Sequence, residues 1–200
     1  MNTAQPLNLP ALVGPAAWSR LPLAVQHRFA VGHADVTYRG SMDLRCSRLG
    51  RLLAWLVKPL NSPLMAINAR RVPTTVHVRS VGAGVVWERR FAHGVGSVCS
   101  TKELDAAGRL QERTEGGLGM ALEVFEQDGA LVFESRRYFL AVGRFRVLVP
   151  RLFSPGTCRV EHRDLGHGLF RFTLSMTHPL WGETFHQTGV FTDPTPRADR

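Results

Sequence analysis

Two hundred residues, 44% of them hydrophobic, suit one domain with enough apolar material to bury a core. The formal charge of +9 comes from arginines scattered along the chain, Lys58 and Lys102 being the only lysines. With no basic run, helix-turn-helix or zinc-finger pattern, nucleic acid is excluded as the expected partner. Cys46, Cys99 and Cys158 are odd in number and far apart, which excludes a disulfide framework and points to a reducing cytoplasm.

Residues 1–15 carry three prolines and little charge and are expected to form a flexible lead-in, with a single domain over 16–193 and a frayed tail over 194–200. The lead-in lacks a basic segment, and Pro6 and Pro10 interrupt its apolar residues, so no export signal is expected. No stretch approaches the roughly eighteen consecutive apolar residues of a spanning helix. Ser19 is placed to cap a short helix that tolerates Pro22 in its first turn, puts Leu21, Val25 and Phe29 on one side and stops at Gly32. Residues 35–46 alternate near period two, with Gly40 as a bend.

Residues 47–60 then bring Leu49, Leu52, Leu53, Leu56 and Leu60 onto one helical stripe, capped by Ser47 and stopped by Pro59 and Pro63. The opposite face carries Arg48, Arg51, Trp55 and Lys58. The cations of the first turn oppose the helix dipole, so this face suits either an anionic membrane surface or carboxylates of neighbouring strands.

After an irregular connection over 61–73, extended segments dominate. Residues 74–80 and 84–91 form a hairpin, and 96–101 and 109–114 a looser pair turning at 105–108. The clearest hairpin joins 119–127 to 130–140 through Asp128-Gly129, the residue pair a two-residue turn with positive φ demands. Its register sets Val124 against Phe133, Phe125 against Val132 and Glu123 against Glu134, with Arg136 close to both carboxylates. Residues 144–149, 157–163, 169–177 and 183–192 supply further strands, the last two broken by His178-Pro179. The fold class is α+β: a mainly antiparallel sheet curled into a half-barrel or open barrel around the leucine-striped helix, with a short N-terminal helix.

Five segments in this order, LPLAVQHRF at 21–29, RLGRLLAWL at 48–56, VVWERRF at 85–91, RRYFLAVGRFRVLVPRLFSP at 136–155 and FRFTLSMTHPLWGETFHQTGVF at 170–191, resemble the bacterial domain of unknown function numbered 4166. The resemblance spans roughly residues 18–192. It implies a predominantly antiparallel sheet and carries no established activity, so no catalytic residue is transferred. Proteins of that family often bear the domain at the carboxyl end of a dehydrogenase-like polypeptide, which implies a dehydrogenase-like partner. The chain itself has no GxGxxG after a strand, and no cofactor is expected.

Chemistry-bearing patterns are sparse. Cys158 and His162 are four apart in a strand, too far for one ion, and no HExxH or CxxC spacing occurs, so no metal site is expected. No GxSxG elbow is present. Two polar constellations stay open as an enzyme's site: Glu123 with Glu134, whose pairing would raise one carboxyl's pKa, and His178 with His186 across the final hairpin. The stronger expectation is a non-enzymatic module. A curved sheet leaves a concave apolar face, and Phe133, Tyr138, Phe139, Phe170, Phe172, Trp181 and Phe185 either line a site for an apolar small molecule there or fill the core.

Overall fold

The computed structural model describes residues 7–30, 35–58, 64–143 and 145–194. Its strands are β1 (Val36–Cys46), β2 (Ala69–Val81), β3 (Gly84–Phe91), β4 (Gly96–Leu104), β5 (Leu110–Arg113), β6 (Leu118–Gln127), β7 (Ala130–Val142), β8 (Phe145–Val149), β9 (Thr157–Gly166), β10 (Leu169–His178) and β11 (Gly182–Thr192). Its helices are α1 (Leu9–Val13), α2 (Pro15–Trp18), α3 (Leu23–Arg28) and α4 (Arg48–Leu56).

Every pairing is antiparallel. β1 bonds β2 on one side and β11 on the other, while β6 bonds β7. Ten strands, β1–β7 and β9–β11, therefore close into a complete barrel, which corrects the expected half-barrel. Closure leaves the ring without an unpaired edge, and it depends on Arg39–Cys46 meeting Phe185–Thr192, a pairing that local periodicity does not reveal. β7 bonds β9 through Ala130–Glu134 and β8 through Tyr138–Val142, so β8 leaves the ring as a short flap.

Side chains alternate across the barrel wall. Phe170, Phe172, Leu174 and Met176 of β10 point inward and are buried, whereas Arg171, Thr173 and Ser175 between them point outward. Apolar inside and polar outside is the reverse of the alternation of a membrane-spanning barrel. No described helix is long and apolar enough to cross a membrane.

The Asp128-Gly129 hairpin has the expected register, with both turn residues at positive φ (50° and 75°). β2 begins at Ala69, inside the stretch expected to be irregular. Residues 9–18, expected to lie largely within a lead-in, hold α1 and α2, and Leu7 and Leu9 are buried. Ser19 is the C-cap of α2 rather than the N-cap of the next helix; α3 starts after Pro22, and Gly32 lies outside the described residues.

The helix expected at the centre of the sheet is the largest correction. α4 follows β1 at one end of the barrel and docks on β11, where Gly50 packs against the Thr184 carbonyl and Phe185. Ser47 caps it, accepting from Gly50 N at 3.1 Å. Its inward residues are Gly50, Leu53, Ala54 and Val57, while Leu52 and Leu56 are exposed. The buried stripe is thus turned about one residue from the leucine stripe, because close approach to Thr184 selects Gly50 and Ala54 rather than bulk. The helix ends at Leu56, and Leu60 lies outside the described residues. The opposite end is plugged by the N-terminal helices: Val25 is fully buried, Phe29 stacks on Trp87 with ring centroids 5.8 Å apart, and Arg28 lies over the Phe170 ring at 3.8 Å.

Candidate functional site

With one end plugged, the barrel is a cup whose mouth lies beside α4. Two chambers occupy it. The outer, about 150 Å³, is walled by Leu53 and Val57 of α4, by Leu140 and Val149, and by Phe153 in the 3-10 turn Arg151–Phe153. The inner, about 50 Å³, lies among Tyr38, Val76, Trp87, Arg89 and the inward aromatic residues of β10 and β11. Leu64, Ser100, Glu112, Met120 and Met176 wall both, so the chambers adjoin inside the barrel lumen across a shared wall. Sites that bury a drug-sized ligand run to about 300–1,000 Å³; both chambers are smaller, and their shared wall includes the flexible side chains of Met120 and Met176.

A polar cluster sits in this apolar shell. Lys102 on β4 and Glu112 on β5 are paired across the ladder, with Lys102 Nζ 2.9 Å from Glu112 Oε2 and both side chains about nine-tenths buried. Burial would raise the Glu112 carboxyl, but Lys102, Ser100 and Arg89 outweigh it and hold its pKa below the ordinary value. Lys102 also stands 5.4 Å from the ring centroids of Trp87 and Phe133, within cation–π range. Arg89 on β3 is 9% exposed and lies 5.3 Å from the Phe172 ring. Its Nε and Nη1 are buried without a hydrogen-bond acceptor among the described residues. His162, 3% exposed, is enclosed by Phe29, Phe133, Phe172 and Trp87. Arg28 donates from Nε and Nη2 to both carboxylate oxygens of Asp193, at 2.9 and 2.6 Å.

The sequence-predicted residues divide among these surroundings. Phe170, Phe172 and Phe185 line the inner chamber and Tyr138 the outer. Phe133 is buried against Phe29 and His162. Phe139 faces away from the lumen, packed over Gly119 and under the Arg146 guanidinium. Trp181 sits half-exposed in the β10–β11 turn, stacked at 4.1 Å on His178. Glu123 and Glu134 are on the outer wall, both bonded to Arg136, and that hydrogen bond lowers the Glu123 pKa, opposite to what a general acid needs. His178 is buried and accepts from Leu180 N through Nδ1 at 3.1 Å, while His186 lies on the outer wall 3.1 Å from Glu183. Arg48, Arg51 and Trp55 are exposed on α4, and Lys58 is exposed just past its end.

Sequence reasoning missed Arg89, Lys102 and Glu112, and weighed His162 only as a metal ligand. One signal existed: in VVWERRF, Arg89 shares its parity with Val85, Trp87 and Phe91. Glu88 and Arg90 carry charge on the other face, so only the closed pairing shows which face is the lumen.

A closed antiparallel barrel with a plugged base, a mouth and an internal polar cluster defines the class of this protein, a cup-shaped β-barrel. The chain matches the family described as Domain of unknown function (DUF4166) over residues 21–191 and belongs to it. No curated protein and no solved structure matches the chain.

Proposed function

We propose that this protein is a non-enzymatic module that takes an apolar small molecule into the barrel lumen through the mouth between α4 and Phe153. The observation that supports this reading is the shared wall of the two chambers, which sets an apolar outer chamber directly beside buried polar groups. That arrangement is the pattern of small-molecule sites: mostly apolar walls with a few fixed polar groups. Calorimetric titration with octanol tests it, together with native mass spectrometry for a co-purified ligand. Binding that is abolished by Met120→Trp, which fills the common wall, is the expected result. No octanol heat and no co-purified molecule, or unchanged binding in the variant, would remove the reading.

A second reading concerns how such a molecule arrives. Large apolar side chains are exposed on the elements that wall the mouth, among them Trp55 (69%) and Leu56 (56%) on α4 and Phe153 (68%) in the 3-10 turn, and Arg48 and Arg51 lie on the same helix as Trp55, with Lys58 two residues past its end. Apolar side chains interleaved with cations suit the surface of an anionic bilayer. Flotation with anionic vesicles is expected to carry the protein upward and neutral vesicles to leave it behind; equal behaviour with both rejects this reading.

A further inference from the structure

We infer that the lumen is built for an amphiphile with a single negative charge, an apolar monocarboxylic acid whose carboxylate meets Arg89 and whose tail runs toward α4. The inference rests on the lumen reading above and adds the ligand's polar chemistry.

The argument is one of charge and donors. Three buried cations reach the interior: Arg28, Arg89 and Lys102. Two carboxylates answer them, Asp193 on Arg28 and Glu112 on Lys102, and His162 is kept neutral by burial and by those cations. Among the described residues that line the two chambers, Arg89 and Lys102 are cations and Glu112 is the carboxylate, so the lining carries one positive charge in excess, on Arg89. A guanidinium stays protonated in a protein, and its donors are costly to leave unmet away from water. Arg89 lines the inner chamber, and its unpartnered Nε and Nη1 each belong to one of the two edges of the guanidinium, Nε with Nη2 and Nη1 with Nη2, from which a carboxylate accepts bidentately. A monoanion makes that lining neutral, whereas a dianionic phosphate monoester would overshoot by one charge beside Glu112. Beyond Met120 and Met176 of the shared wall lies the apolar outer chamber, which fits a hydrocarbon tail.

The test compares octanoate with octanol on the full chain by calorimetry. Octanoate is expected to bind about ten- to a hundredfold more tightly, the range of a charge-assisted hydrogen bond at a buried site. Arg89→Met is expected to erase that preference while leaving octanol bound. Glu112→Gln, which removes a repelling charge, is expected to tighten octanoate and leave octanol unchanged, so a result survives if one variant does not fold. Octanol that binds at least as tightly as octanoate to the unaltered protein overturns the inference and leaves the lumen reading standing. An octanoate preference that persists in Arg89→Met overturns it as well, and failure of both molecules to bind overturns both readings.

Discussion

Burial holds the His162 imidazole well below its ordinary pKa, and the charges of Arg28, Lys102 and Arg89 push it the same way. Because its folded pKa lies below the unfolded value of about 6.5, the unfolded chain takes the proton first. Stability is therefore full above about pH 6.5 and falls as the pH drops below it, approaching about 1.4 kcal/mol per pH unit. Glu112, with its pKa lowered, adds a second loss only below the unfolded carboxyl value of about 4.3. Urea midpoints between pH 7 and pH 5 should fall for the unaltered protein and much less for His162→Phe; parallel slopes would show that His162 is not the group responsible. The Arg28 to Asp193 pair gives a second measurement. Arg28 is 1% exposed at its side chain and Asp193 25%, so Asp193→Ala strands a buried guanidinium and should cost about 2–4 kcal/mol in chemical denaturation. Adding Arg28→Met should recover part of that loss.

Among the elements, α4 and the β6–β7 hairpin show what a linear pattern can and cannot convey. The hairpin was legible because Asp128-Gly129 acts locally: positive φ at both positions fixes the turn, and the turn fixes the register. Gly129→Ala should cost about 1 kcal/mol in unfolding free energy, with the fold intact by circular dichroism. In α4 the cap at Ser47 was equally local and equally readable, but the buried face was not. Leu49, Leu52, Leu53 and Leu56 outnumber the small residues, yet the helix lies so close to β11 that Gly50 and Ala54 face it. A Cβ on Gly50 would run into the Thr184 carbonyl. Gly50→Leu should therefore lift α4 from the mouth, read as faster amide exchange over residues 48–56 with the β1–β11 ladder still protected. Unchanged exchange there would mean that α4 is not held at this contact.

At the scale of the whole molecule, the strands were largely legible from alternation, while the barrel's closure and its lumen were not, since both depend on β1 meeting β11 across almost the full chain. The same long-range geometry gathers exposed apolar groups that lie far apart in sequence. Trp55 on α4 and Phe153 in the 3-10 turn belong to the elements that wall the outer chamber, and Arg48, Arg51 and Lys58 give that end its charge. If this end rests on an anionic bilayer, each cation near the surface contributes about 1 kcal/mol, so replacing all three with Ser should weaken vesicle binding about a hundredfold. Salt should weaken it further as screening shortens the reach of those charges. Trp55→Ser should reduce binding at every salt concentration, because the ring acts through burial in the interface rather than through charge. Binding insensitive to both salt and the triple substitution would leave the mouth apolar but would take the membrane away as the source of its ligand.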